Sequence, residues 1–528
     1  MTTVTRPRDR QTQQLRSGVR RIPWVSRHRT SLCIMGPLLI AVSAANAWNL
    51  QGWPLYLDDD EGTYVSQAWA VIQPQHHLAP YTYWYDHPPL GWMLMGSYFW
   101  ITDALHRYPI ALMAGREFMW FVNVVACGLL YVLARRMTMS RPTSAAAVLL
   151  FGLSPLAIIY HRMVFLDNIA VAWMIAALVL ALSPRRTMGA ALCSAVCFSA
   201  AVLSKETLLL LLPVWLWMVW RDSDDRHRAF WLACWVFFFI VIVGYPLFAA
   251  LRGELFPGKG HVSLVGAIQW QLLSRQSTGS LLDTNSGTYS KAMTWLHDDP
   301  WLLTGGFALA LIAIFIRRLR PLALAMVIQL AFPIKGGYVP YAYVTAVLPF
   351  AALIIVGVAD TWWRPLHRAR HAFIGSHRRV QWALNYSGRV PVIVGILVLA
   401  ILVAPSWGQA LVAQSHANAP ADTMAAEAWV ERNIPRGDVV VVNDYMLTDL
   451  KVHSRVVPVW LWKIDLDPAV MAHSLPHGWR SISYIVWDPQ STGDPLSELP
   501  TLRSAFNHAV AVKRLGTEIT IYKVLVSS

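Results

Sequence analysis

Charge is scarce in this chain. Only 14% of its 528 residues are Asp, Glu, Lys or Arg, against about 25% in soluble domains. That excludes a string of soluble domains. The 55% of residues that are hydrophobic would supply ten or more spans of about 20 residues each. Cysteine is nearly absent as well. The five present, Cys33, Cys127, Cys193, Cys197 and Cys234, all lie in apolar stretches, so neither a disulfide framework nor a cysteine metal site is indicated. No internal repeat is found, which argues against the transporter folds built from repeats. No strong acidic candidate sits at the middle of any apolar run, where proton- and cation-coupled carriers keep theirs.

What is abundant fits a membrane. The 26 Trp and 18 Tyr suit a chain with two interfaces to anchor. Forty-four basic against 30 acidic residues leave +14, and positive charge is what cytoplasmic loops collect, so nucleic acid is not implied. Residues 1–30 hold eight arginines before the first apolar run, which predicts an uncleaved first span with its N-terminus inside.

Apolar runs near 31–49, 110–134, 143–160, 166–183, 187–203, 206–220, 229–250, 301–316, 321–334, 339–360 and 391–408 predict about eleven transmembrane helices. Every second loop is then arginine-rich, from Arg135, Arg136 and Arg141 to Arg364, Arg368 and Arg370. The C-terminus falls outside by this count. Segment 89–105 is short and begins with two prolines, so it reads as a helix lying in or near the outer interface. Counting it as a span would invert every later loop. The expected division is a basic cytoplasmic segment (1–30), a membrane domain (31–408) and a small extracytoplasmic α/β domain (409–528). In the last, helix-like Met424–Asn433, Pro468–Ser474 and Pro495–His508 alternate with β-rich Asp438–Val442, Val456–Leu461, Ile482–Trp487 and Glu518–Val524. Outer regions 50–109 and 251–300 are long, and 253–290, rich in Gly, Ser and Thr, reads as a mobile loop.

Chemistry concentrates beside the first span. Asp58-Asp59-Asp60-Glu61 are four carboxylates that repel one another, so at least one should titrate high, as a coupled set. A purely structural role is open to them: one as an N-cap and the rest against the helix dipole. Tyr85-Asp86-His87-Pro88-Pro89-Leu90-Gly91 reads as a proline-stiffened turn that would hold Asp86 and His87 rigidly. Arg162 and Asp167 flank the junction of two apolar runs, with snorkelling and capping as their structural alternatives. Lys205-Glu206 lies at the next outer junction. Arg116 lies about a turn inside a span, where an ionised group is costly and functional by default. Lys335-Gly336-Gly337-Tyr338 ends another span, with glycines that let backbone approach a ligand.

Taken in order, Asp60-Glu61, His87-Pro88-Pro89-Leu90-Gly91, Arg116, and Arg162 with Asp167 resemble the pattern of the protein O-mannosyltransferases. These are GT-C, polyprenyl-phosphate-dependent glycosyltransferases, and the likeness covers residues 50–210. The chain departs from them in carrying Trp92 where they usually carry Lys, and in its C-terminal α/β domain. That domain resembles the aminoarabinose transferases of lipid A.

The resemblance implies a GT-C fold in the plasma (inner) membrane. It implies inverting transfer of a mannose-like or arabinose-like sugar from a polyprenyl phosphate to a hydroxyl on protein Ser/Thr, a glycolipid or a cell-envelope glycan. By that likeness Asp60 is the base, with Glu61 beside it. Asp59, Asp86, His87, Arg116, Arg162, Asp167, Lys205, Glu206, Lys335 and Tyr338 would bind donor or substrate. A divalent cation, Mg²⁺ or Mn²⁺, is an open possibility with Glu61 and Asp167 as candidate ligands. A transporter or flippase of polyprenyl-linked sugars is the competing expectation.

Overall fold

The computed structural model describes residues 23–54, 57–74, 78–79, 85–221, 228–372, 401, 403–489, 495–516 and 519–526. The membrane unit is helical. Its helices are α1 (Pro23–Ala47), α2 (Asp59–Val71), α3 (Leu90–Thr102), α4 (Ala104–Arg107), α5 (Ala111–Arg136), α6 (Arg141–Leu153), α7 (Pro155–Arg162) and α8 (Leu166–Ala181). They continue as α9 (Met188–Ser204), α10 (Leu212–Arg221), α11 (Arg228–Leu251), α12 (Leu264–Gln269), α13 (Gly287–Asp298), α14 (Pro300–Ala313), α15 (Arg320–Lys335) and α16 (Leu348–Ala372).

Among the described residues four stretches are long and apolar enough to cross a membrane: His28–Ala47, Ala111–Arg136, Trp231–Leu251 and Tyr341–Thr361. The run expected as one straight span at 143–160 is instead two helices, α6 and α7, bent by 62°. The cause is local. Pro155 disfavours helical backbone in the residue before it, and Ser154 sits at φ −56°, ψ 135° with its hydroxyl accepting the Ala157 N–H. Apolar helices of 10–17 residues fill other expected positions, among them Leu166–Ala181, Met188–Ser204 and Pro300–Ala313. Spans of about 20 residues are the usual requirement for a 30 Å core. Of the last expected span, 391–408, residues 391–400 and 402 lie outside the described residues.

Segment 89–105 forms α3 and α4, and α3 lies against α2, where a Cβ added to Gly96 would meet the Ala68 carbonyl. Trp100 and Ile101 are exposed at 76% and 73%. Within 253–290, expected as a mobile loop, lie α12 and a π-helical turn at Trp270–Ser274.

The C-terminal sheet has five strands, β1 (Val439–Val442), β2 (Val457–Trp460), β3 (Tyr484–Trp487), β4 (Ala509–Leu515) and β5 (Ile519–Val524), in the order β2-β1-β3-β5-β4. Strand β1 runs parallel to both neighbours, pairing Val440 with Pro458 and Tyr484. Strands β3, β5 and β4 are antiparallel, with Ile485 opposite Tyr522. The alternation of side chains along a strand divides β1 between two cores. Val440 and Val442 join the core of the membrane unit, while Val441 packs with Val459 and Ile485 in the sheet's own core. The helix after β1, Asp444–His453, which we call the docking helix, carries the contact to α2. Sequence reasoning left that stretch without an element, and it missed β4.

Candidate active site

The acidic tetrad is divided among separate jobs by the geometry of α2. Asp58 is the N-cap, its carboxylate accepting the Asp60 N–H at 2.9 Å. Glu61 closes a capping box by accepting the Asp58 N–H. Residues three and four apart share a helix face, so α2 has three working faces. Asp59, Gly62 and Ser66 face the docking helix: Asp59 accepts from Asp444 and Trp460, Ser66 donates to Asp444, and a Cβ on Gly62 would lie 2.0 Å from the Tyr445 nitrogen. Glu61, Val65 and Ala68 face the membrane helices, with Val65 against Gly115 of α5. Asp60 and Tyr64 share the third face, and Asp60 is exposed.

Glu61 is not a free carboxylate. Arg116 grips it with Nε to Oε1 at 3.0 Å and Nη2 to Oε2 at 2.8 Å, both side chains being fully buried. The Val164 N–H donates to the same Oε1 at 2.8 Å. Arg116, expected to meet a donor phosphate, has its charge met by Glu61 in this structure. Arg162 is also fully buried. Its Nη2 donates to the Trp48 carbonyl at 2.9 Å and its guanidinium lies over the Trp53 ring at 5.3 Å. The bend at Ser154 and the end of α7 put it on that first-span segment.

A second group gathers around Tyr64. The Lys205 ammonium lies 3.4 Å from the Tyr64 hydroxyl, 2.8 Å from His87 Nε2 and 3.9 Å from Asp167. His87 Nδ1 meets the Glu206 carboxylate at 3.0 and 3.1 Å. Asp86 accepts from Gln271 Nε2 at 2.8 Å. Burial and then the charges of Asp60, Asp86, Asp167 and Glu206 push the Tyr64 phenol well above its usual range, which keeps it neutral. Burial opposes the His87 cation, but Asp86 and Glu206 outweigh it and raise the imidazole pKa.

A third group surrounds Tyr338, which the sequence offered, and adds two residues it did not, Arg275 and Lys291. Arg275 stacks 3.3 Å over the Tyr338 ring, and Lys291 lies 5.1 Å from the same ring while donating to the Val339 carbonyl. Burial pushes the Tyr338 phenol up to about 12, with Asp60, Asp86 and Asp58 adding to it against Arg275. Burial and Arg275 lower the Lys291 pKa, and Asp60 and Asp58 favour its cation. The Asp60 charge is thus felt at Tyr338 and Lys291, the residues that pack with Arg275. The signal available was simply that Arg275 and Lys291 are basic residues in the long 251–300 region, away from the arginine-rich loops. Lys335 is exposed at the end of α15 and forms no ion pair among the described residues.

Among the described residues no three His, Cys, Asp or Glu side chains converge as a metal site. Glu61 and Asp167 do not suit a divalent ion as they stand. Arg116 occupies both oxygens of the first, and Lys205 accompanies the second.

No protein-family model and no curated protein matches the sequence. Solved structures do match the fold. The oligosaccharyltransferase of Archaeoglobus fulgidus in its apo form gives a TM-score of 0.58 over 90% of this chain and 72% of its own, at 14% identity. ArnT from Cupriavidus metallidurans, solved with undecaprenyl phosphate, gives 0.57 over 94% of this chain and 98% of its own, at 15% identity. The mycobacterial arabinofuranosyltransferase AftD gives 0.50 over 95% of this chain and 40% of its own, at 13% identity. The chain has the fold of the GT-C glycosyltransferases, a class of integral membrane proteins.

Proposed function

We propose that this chain is an inverting glycosyltransferase. It moves a mannose-like or arabinose-like sugar from a polyprenyl phosphate to a hydroxyl on protein Ser/Thr, a glycolipid or a cell-envelope glycan. The site faces the extracytoplasmic side of the inner membrane, with the basic N-terminal segment in the cytoplasm. The observation that carries the reading is the exposed Asp60 carboxylate, whose charge reaches Lys291 and Tyr338 of the Arg275–Tyr338–Lys291 stack. A carboxylate next to partly buried cations is what an acceptor alcohol and a donor phosphate require. ArnT binds undecaprenyl phosphate, and that ligand class is carried over here. The competing transporter expectation finds no support in the fold, whose neighbours named above are transferases.

The phosphate is already a weakly basic leaving group, so no general acid is needed. Asp60 takes the acceptor hydroxyl proton as the oxygen forms its bond to C1. The bond from C1 to the phosphate oxygen breaks, and its electron pair leaves with the polyprenyl phosphate. General-base help of this kind contributes typically about 10²–10⁴-fold. Arg275 and Lys291 stabilise charge developing on the phosphate. The His87–Lys205 pair, joined through one hydrogen bond at 2.8 Å, supplies cationic charge on the Tyr64 side, while Glu61, held by Arg116, fixes the first turn of α2. No step is routed through a divalent ion.

The test is to incubate the purified protein with a panel of labelled polyprenyl-phosphate sugars and a cell-envelope extract. Label moving from at least one donor into a component of the extract is expected. Failure with every donor in the panel would refute the reading.

A further inference from the structure

Asp59 is buried and engaged with the C-terminal sheet. One oxygen accepts the Asp444 N–H at 2.5 Å and the other the Trp460 indole N–H at 2.6 Å. Both donors stand at the carboxyl ends of parallel strands. Trp460 ends β2, and Asp444 begins the docking helix two residues beyond β1. That edge, beside a helix N-terminus, is where open sheets with parallel strands take their ligands, anions in particular. Here the group seated there is the carboxyl of a membrane-unit side chain.

The rest of the contact is built to match. Ser66 donates to Asp444 Oδ2 at 3.3 Å, and Gly62 permits close approach of α2 to the docking helix. At the other end of the docking helix, Asp449 accepts the Ala111 N–H at 2.9 Å and ties it to the start of α5. Helix α2 has only 13 residues. The direction of its Asp60 face is therefore fixed by what holds the two faces beside it: Glu61 on Arg116, and Asp59 on the sheet.

We infer that Asp59 is a positioning residue, bound as an internal ligand at the strand ends of the C-terminal sheet, so that the α/β unit sets the direction in which α2 presents Asp60. The catalytic consequence rests on the glycosyltransferase reading; the clamp does not.

The experiment uses full-length protein in detergent, with Asp59→Asn and, as the milder variant, Trp460→Phe, which keeps a ring and drops the N–H. Hydrogen exchange of the α2 amides is followed beside transfer kinetics, with α5 as the internal reference. Released from the sheet, the first turns of α2 should exchange about tenfold faster or more, since exchange reports local opening. For Asp59→Asn, kcat should fall about 10²-fold with donor KM unchanged, as displacing a reacting group by about 1 Å does. Trp460→Phe should move both readouts the same way by less, and carries the test if Asp59→Asn fails to fold. Unchanged exchange in both variants overturns the clamp. Faster exchange with wild-type kcat, or a rise in donor KM equal to the loss in kcat, overturns the positioning role. A wild type inactive with every donor refutes the functional reading, and the exchange comparison still decides the clamp.

Discussion

Arg116 holds both oxygens of Glu61 at 2.8 and 3.0 Å, and neither side chain reaches solvent. Removing one partner of such a pair leaves a buried, uncompensated charge at a cost of about 3–5 kcal/mol. Glu61→Gln and Arg116→Met should each lower the yield of folded protein and the thermal midpoint in detergent. The double variant should recover part of that loss. Single variants that melt like the wild type would show that the pair does not hold α2.

The cations stacked on Tyr338 should act on donor binding. Lys291→Met and Arg275→Met are expected to raise the donor KM by about tenfold or more, a loss of about 1.4 kcal/mol of binding each. Arg185→Gln, an exposed arginine in a loop expected on the cytoplasmic side, serves as the control. Equal effects of the three would contradict this placement of the phosphate.

His87 should make the reaction pH-dependent. Asp86 and Glu206 raise its pKa above the ordinary imidazole value despite burial. A raised cationic group contributes fully below its unfolded pKa, and the contribution is lost as pH rises through the folded one. The stability His87 lends should therefore decline from the ordinary imidazole value up to that raised one, and donor affinity should fall as pH rises through it. His87→Gln should abolish this limb, and His87→Lys should displace it upward. A profile unchanged in His87→Gln would exclude the residue as its source.

The docking helix predicts a second pH effect, of opposite chemistry. Burial raises Asp449 to about 7, with Glu431 adding to it, and burial raises Asp444 to about 7. The folded protein thus keeps protons that the unfolded chain has lost between about pH 4 and 7, so stability falls as pH rises through that window. Thermal midpoints of the wild type and of Asp449→Asn, compared from pH 4 to 8, should show a shallower decline in the variant. Parallel curves would contradict the contribution of Asp449.

Much of the helical framework could be read from apolar runs. The runs at 166–183 and 187–203 became Leu166–Ala181 and Met188–Ser204, since burial and lipid exposure both demand apolar residues. The break at Ser154 was not read, although Pro155 announced it. The docking helix escaped because Asp444, Thr448, Asp449 and Lys451 give Asp444–His453 the polarity of a loop. Its buried carboxylates make sense only once α2 and Ala111 are seen against it. Strand β4 escaped because it is an edge strand with an almost wholly exposed face. The tetrad Asp58–Glu61 was visible as a cluster, but not its division into cap, clamp, free carboxylate and ion pair. That division depends on partners as distant in sequence as Trp460. Tyr64 meets Lys205, and Arg275 and Lys291 meet Tyr338, from separate segments with no shared motif.

The most direct measurement is the steady-state rate of sugar transfer by Asp60→Asn beside that of the wild type, with the thermal midpoint of both recorded. An exposed side chain whose replacement leaves packing intact should change stability by no more than about 0.5 kcal/mol, while loss of the base should lower kcat by about 10²–10⁴-fold. A folded Asp60→Asn protein turning over at the wild-type rate would contradict the assignment of Asp60 as the base.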